Sequence, residues 1–388
     1  MLAALVREAA RRGYSQHAVL AGPQEDWAGL ALPPEEMSFL PSPLEADPVS
    51  DLEAQRLILE RVRADWPPDV VHVHHLGPGA ALAREVFADV PVLVSCHDAD
   101  VRRAPHRLAV ALPALRRLDR IGVLTPRSRL DVLELSGIEE GRVAVTGAGY
   151  DAEVFEPAQR PLVEVRDDLE RRLGIHLPPP ADEPGGSLLV TFAGPLSVSQ
   201  GAPFLIEAAM STARQGETPP FRLVLVGEQE GKAGELIRRA GDLVLHLDPQ
   251  PAPVLARLLQ VSDLFVLPAV FEGMPLPMLE AAACGCPCLV SGLPSIRSWM
   301  PVEWVDNNWF RLIPPLVTVD ADRLIEADIP RFVEAIARGL RRQLVRRPPP
   351  ESRRELADRL REHSWARVFE RYERLYQELC PQVSRFAG

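Results

Sequence analysis

The chain has 388 residues, 46 % apolar and 25 % charged, which fits two globular domains and excludes a disordered, collagen-like or disulfide-scaffold protein. Forty-three basic residues stand against 54 acidic ones for a formal charge of -11, so the basic footprint that nucleic-acid binding needs is missing. No apolar run approaches the roughly 20 residues that cross a bilayer, and with a single lysine, Lys232, nearly all the positive charge is arginine.

Residues 2–12 read as a helix with charges inside its apolar run, not as a secretory signal, so a cytoplasmic protein is expected, with peripheral membrane contact left open. Short β-branched runs at 17–21, 70–75, 90–96, 121–125 and 142–146 read as parallel strands, and stretches such as 51–63 and 127–135 between them read as helices. Residues 156–186 are polar and rich in proline, which removes donors and fixes φ, so this segment reads as a linker. The alternation restarts at 188–193 and continues through 222–226, 243–247, 264–267 and 288–291. After Pro348, Pro349 and Pro350 comes a charged helical tail in which Leu360, Val368, Tyr372 and Leu375 form an apolar face. The arginine-rich segments around Arg341 and Arg353 read as solvated helix faces. The expected organisation is an α/β domain over 1–155, a linker over 156–186, a second α/β domain over 187–350 and a helical segment over 351–388.

Five cysteines, an odd number, indicate a reducing compartment rather than a disulfide framework. The spacing of Cys284, Cys286 and Cys288 is not that of a zinc site, and small buried residues are the expectation there.

Chemistry concentrates in Leu267-Pro268-Ala269-Val270-Phe271-Glu272-Gly273-Met274-Pro275-Leu276-Pro277-Met278-Leu279-Glu280-Ala281-Ala282-Ala283-Cys284-Gly285. A strand ends near Leu267, a loop follows, and a helix opens near Leu276 and stops at Gly285. In a doubly wound sheet the carboxyl ends of the strands face the ligand crevice, which puts Glu272 there and Glu280 one turn into the helix. Gly273 lets the backbone approach a ligand, and free N–H groups at a helix start suit a diphosphate. Carboxylates accept from hydroxyls and amides hold an anion, so the run fits a ligand carrying both groups. Taken alone, two glutamates flanking a capped helix read equally well as surface acids.

The Glu272-x7-Glu280 run, with Gly273, Met274 and Leu276 between the acids and Ala-Cys-Gly after them, resembles the donor-binding motif of family 4 glycosyltransferases. Residues 69–76 and 91–98 are similar to that family's acceptor-domain strands, and 142–155 to the segment ending that domain. Residues 192–201 and 223–227 are similar to the first donor-domain strands, and 364–376 to the closing helix that crosses back. The resemblance implies the GT-B fold: an α/β protein of two Rossmann-like domains facing across a cleft. It implies retaining transfer of a sugar from a nucleotide diphosphate sugar to an acceptor hydroxyl, without metal or cofactor. The acceptor, a sugar, a lipid-linked sugar or a small molecule, is left open. The resemblance assigns Glu272 to the transferred sugar and Glu280 to the ribose, puts His97 beside the sugar across the cleft, and places Gly194 and Gln200 in the diphosphate segment. Without it, His97 ends an apolar strand as a hydrogen-bonded structural residue would, and His72, His74 and His75 read as structural too. The alternating His72 and His74 pair has no carboxylate partner nearby in sequence for a metal.

Three positions depart from the family pattern. Pro195 and Gln200 stand where the resemblance expects an arginine and a lysine. Losing one preorganised donor to developing charge costs about 3 to 4 kcal/mol, and the amide of Gln200 donates at roughly half the strength of a charged donor. Lys232, after the strand ending at Gly227, is the candidate substitute cation. Pro275 removes one N–H from the helix start. The family's opening strand and glycine-rich loop have no counterpart ahead of the 2–12 helix, so two strand edges are expected to lie open. The readings carried forward are an active transferase, a degenerate relative that binds a nucleotide sugar or a partner without turnover, and another two-domain Rossmann enzyme such as a nucleotide-sugar epimerase; the motif favours transferase ancestry.

Overall fold

A computed structural model of the chain describes residues 1–21, 36–40, 48–102, 116–320 and 323–381, with Leu32 and Pro113. The chain divides into two units, one joining Met1–Gly149 to the C-terminal helix from Trp365, the other Tyr150–Ser364.

The first unit opens with α1 (Leu2–Arg11), followed by the parallel pair β1 (Ala18–Ala21) and β2 (Met37–Leu40). Then come α2 (Pro48–Asp65), β3 (Val71–His74), α3 (Pro78–Val86), β4 (Val92–Cys96), α4 (Asp98–Arg102), β5 (Arg120–Val123), α5 (Pro126–Ser136) and β6 (Val143–Val145). Strands β3-β4-β5-β6 form one parallel sheet in that order. Every residue of β4 is buried, as an apolar run between two neighbouring parallel strands requires. Helix α5 shows local logic clearly: Thr125 accepts from the Ser128 N–H at its start, Pro126 opens it, and Gly137 at φ 61 ends it. The β1–β2 pair and the β3–β6 sheet are separate, with no strand hydrogen-bonded between them among the described residues.

The second unit contains α6 (Leu162–Leu173), β7 (Leu188–Ala193), α7 (Ala202–Gln215), β8 (Phe221–Val226), α8 (Ala233–Ala240), β9 (Val244–Leu247), α9 (Ala252–Val261), β10 (Leu264–Leu267), α10 (Leu276–Ala283), β11 (Cys288–Ser291), α11 (Pro294–Trp299), α12 (Val302–Asp306) and β12 (Phe310–Ile313). A hairpin, β13 (Thr318–Asp320) and β14 (Arg323–Leu324), precedes α13 (Ile329–Val345) and α14 (Pro350–Leu360). The six-stranded parallel sheet runs β12-β11-β10-β7-β8-β9. Strand order reverses between β7 and β10, and a ligand crevice is expected outside the carboxyl ends of the strands at such a switch point.

Two expected boundaries move. The proline-rich stretch carries α6, whose Val165 and Leu169 are buried and which packs on α9, so it belongs to the second unit. The tail splits at Ser364: Leu356 and Leu360 of α14 pack into the second unit against α10, while α15 (Trp365–Leu379) joins the first. Helix α15 packs on α1, with Arg12 and Tyr14 both bonded to Glu373 at 2.7 and 3.0 Å. Its Tyr372 hydroxyl, fully buried, lies 2.7 Å from Ser95 Oγ and 2.9 Å from Thr146 Oγ1. Cys284, Cys286 and Cys288 are free and buried at the junction of α10 and β11, where burial pushes their thiols up.

Candidate functional site at the strand-order switch

Two loops meet at the carboxyl ends of β7 and β10. The 194–201 loop turns between two glycines that no other residue would replace easily. A Cβ on Gly201, at φ 77, would sit 1.9 Å from the Pro268 carbonyl oxygen, so the two loop backbones touch there. The Val270 N–H donates to the Ser199 carbonyl at 2.8 Å and fixes the contact.

Glu272 is half-buried in the second loop, and Gln200 Nε2 donates to its Oε2 at 2.9 Å. Ser295 Oγ donates to the Glu272 carbonyl at 3.0 Å and pins the backbone. Gln200, read from sequence as a diphosphate donor, thus spends its amide on the carboxylate 72 residues away. Met274 is buried and Gly273 and Leu276 are half-buried, so Met274 acts in packing the turn.

Helix α10 offers less to an anion than expected. Pro275 is its N-cap, Pro277 falls in the first turn, and the Met278 N–H is bonded to the Pro275 carbonyl at 3.2 Å. Of residues 275–278, Leu276 alone keeps an uncommitted backbone donor. Glu280 sits farther along, its pKa pushed up to about 7 by burial and by the negative charge of Asp151. No hydrogen bond holds its carboxyl among the described residues.

A cavity of about 330 Å³ opens beside these loops, lined by Ser197, Val198, Ser199, Glu230, Gly231, Val270 and Leu324. In the 194–201 loop the N–H groups of Ser197, Gln200 and Gly201 donate within the loop and those of Gly194 and Leu196 to the Val226 and Glu228 carbonyls, leaving those of Val198 and Ser199 without an acceptor among the described residues. With the paired hydroxyls of Ser197 and Ser199, 3.0 Å apart, they are the neutral donors that this stretch of the cavity lining can offer an anion. Sequence reasoning missed this pair; the Ser-x-Ser between Gly194 and Gly201 was the available signal. Lys232 is the exposed N-cap of α8, next in chain to Gly231 of the lining, and Glu230 is the one charged residue in that lining.

His97 lies in the first unit, after β4. Its backbone N–H donates to Asp100 Oδ2 at 2.8 Å and its ring stacks on His75 at 4.4 Å. Burial first, then the neighbouring His75, lowers its pKa to about 4, and its buried Nε2 has no hydrogen-bond partner among the described residues. His72 differs: Tyr376 and Ser95 occupy its two ring nitrogens, each at 2.7 Å. His75 is paired with Asp100 at 2.9 Å, which raises its pKa.

A doubly wound sheet with loops meeting at its switch point defines an α/β unit of the Rossmann-like type, and comparison with known proteins makes the class specific. Residues 187–340 match the domain family described as Glycosyl transferases group 1, and residues 1–154 match Glycosyltransferase Family 4. The chain belongs to the family 4 glycosyltransferases. It is 28 % identical over 251 residues to the D-inositol 3-phosphate glycosyltransferase of Mycolicibacterium paratuberculosis, covering 58 % of this chain and 52 % of the relative. With the enzyme of that name from Pseudarthrobacter chlorophenolicus it shares 26 % over 302 residues, 72 % of this chain and 64 % of the relative. The chain therefore spans between half and two thirds of the length of these relatives. Among solved structures, Anabaena HepE in complex with UDP gives a TM-score of 0.67 at 14 % identity, covering 97 % of this chain and 96 % of that one. Sucrose-phosphate synthase from Thermosynechococcus elongatus gives 0.65 at 19 %, covering 97 % and 91 %. These likenesses establish the GT-B fold of two Rossmann-like domains. No helix among the described residues is long and apolar enough to cross a membrane.

Proposed function

We propose that the chain transfers a hexose from a nucleotide diphosphate sugar to an acceptor hydroxyl with retention of configuration, acting in the cytoplasm without a metal or cofactor. The observation that carries this reading is the placement of Glu272, Gln200 and the Ser197–Ser199 pair together at the switch point, with Glu280 open one turn into α10. The HepE neighbour, described in complex with UDP-glucose, supports a nucleotide-sugar donor.

In this reading the Val198 and Ser199 amides and the two serine hydroxyls hold the diphosphate, and ionised Glu280 accepts from the ribose hydroxyls. Glu272, oriented by Gln200, accepts from hydroxyls of the transferred sugar. The bond from the anomeric carbon to the diphosphate breaks, the acceptor oxygen bonds to that carbon on the same face, and the acceptor proton passes to the leaving phosphate oxygen. Charge builds on the diphosphate, where Gly273 and the Leu276 N–H add neutral donors and Lys232 is the candidate cation.

The absence of a cation from the described cavity lining favours a second reading, a relative that binds a nucleotide sugar without turnover. One experiment separates them: the purified chain is incubated with a panel of nucleotide sugars while free nucleotide and melting temperature are followed. Release that disappears in Glu272→Gln supports the transferase, a melting shift without release supports the binder, and neither response refutes both.

A further inference from the structure

We propose that one face of the second unit docks on anionic phospholipid, through Arg311 of β12 and Arg338, Arg342 and Arg346 of α13 and its C-cap. This is independent of the catalytic reading.

The three helical arginines fall four residues apart, so they line one side of α13 over about 12 Å. All three are exposed, and none has a carboxylate within ion-pairing distance among the described residues. Their neighbour Arg341 shows that acids are within reach of this helix: it pairs with Glu334 at 2.8 Å. Like charges at this spacing repel one another along a helix, so the arrangement is unfavourable without an external anion.

Arg311 joins the stripe from the edge strand. Its Nη2 donates to Asn308 Oδ1 at 2.7 Å, and Asn308, held at φ 63, donates through Nδ2 to the Arg346 carbonyl. Burial and then the charges of Arg342 and Arg346 lower the Arg311 pKa, and among the described residues no carboxylate opposes them and its buried Nε has no hydrogen-bond partner. The guanidinium groups of Arg311, Arg342 and Arg346 thus act on one another with no carboxylate paired to them among the described residues, and Arg338 extends the stripe, on a chain of formal charge -11.

The partner's chemistry follows from the shape of the stripe. Val345, 58 % exposed, adds an apolar side chain at the flank of the arginine stripe, which suits the boundary between headgroups and acyl chains. No aromatic lies within the stripe to stack a nucleic-acid base. The Debye length of about 8 Å at physiological salt confines the contact to this face and screens the remaining acidic surface.

The test is co-sedimentation of the full chain with vesicles of mixed phosphatidylglycerol and phosphatidylcholine, against vesicles of phosphatidylcholine alone. Wild type is expected on the mixed vesicles only, and released by salt. At about fivefold per arginine near an anionic surface, the triple variant R338A/R342A/R346A should bind roughly a hundredfold more weakly. The triple lysine variant, with charge kept and guanidinium forks removed, should bind as wild type does. Equal binding to both vesicle types, no binding to either, an undiminished alanine variant or a failed lysine variant each overturns the proposal. Tighter binding to an RNA oligomer than to the mixed vesicles overturns it in favour of nucleic acid.

Discussion

Glu280 is placed where the second unit is least comfortable with a charge, and this gives a prediction with two opposite signs. Its pKa is pushed from the ordinary 4.5 to about 7, chiefly by burial and secondarily by Asp151. The folded chain thus favours the protonated acid: full stability holds below pH 4.5 and is lost as pH rises to about 7. A shift of that size corresponds to about 3 kcal/mol of destabilisation once the group is ionised. Glu280→Gln keeps the shape of the neutral acid. It should therefore raise the melting temperature at pH 8 by roughly 6 to 12 °C while changing little at pH 4. The same variant should lose donor binding, because an amide is a poorer acceptor for ribose hydroxyls than a carboxylate. In the wild type, donor affinity should rise with pH through about 7 as the carboxyl ionises. Thermal melts at the two pH values, with and without a nucleoside diphosphate panel, read both effects. Equal or lower melting of the variant at pH 8 would show that the carboxylate is already satisfied, and the reasoning would fail.

Gln200→Leu frees Glu272 from its 2.9 Å hydrogen bond and should lower kcat by about tenfold or more with little change in KM, since bonds to charged groups are worth about 1.5 to 3 kcal/mol; an unchanged kcat in steady-state nucleotide release would remove Gln200 from a positioning role. Lys232→Ala removes an exposed cation and should weaken binding of a nucleoside diphosphate by at most about fivefold, measured calorimetrically; no loss would leave the proposed diphosphate site wholly neutral. Tyr372→Phe removes one partner from each of the Ser95 and Thr146 hydroxyls, which keep His72 Nε2 and the Val123 carbonyl, and should cost about 1 kcal/mol in a denaturant titration. His72, His74 and His97 have pKa values lowered to about 3, 2 and 4, mainly by burial. Their stabilisation is complete above pH 6.5 and is lost as pH falls, by up to about 2 kcal/mol each at pH 5. Replacing His74 with Phe should flatten that acid limb, and an unaltered limb would contradict it.

The elements around the site were legible because they are bounded runs. The apolar 264–267 run ends at Pro268, and 276–283 is a helical stretch closed by Gly285, so β10 and α10 fall within a residue or two of where the pattern puts them. Helix α6 was hidden because prolines at 161 and 178–180 dominate the stretch, whereas Val165 and Leu169 carry the buried face at a spacing of four between them. The tail read as one apolar face because Leu360 and Val368 share a helical period. Only the turn at 361–364 separates them into different units. The roles of histidines were least legible of all. His72 and His97 both stand on or just beyond apolar strands, and what separates them is that Tyr376 and Ser95 reach one and no described residue bonds Nε2 of the other.

The pairing of Gln200 with Glu272 changes the meaning of the missing cations. A lysine at 200 would both neutralise Glu272 and face a diphosphate; the amide can orient the carboxylate but adds no charge. On the proposed reading the diphosphate meets two amides and two hydroxyls, which gain less than a cation as charge grows on it. The expected signature is tight binding with slow turnover: nucleotide affinity near that of a charged site, and a barrier raised by the share of transition-state stabilisation that a cation would have supplied. Gln200→Lys therefore acts mainly on kcat, and raises it only if the new ammonium keeps its contact with Glu272 while reaching the leaving phosphate.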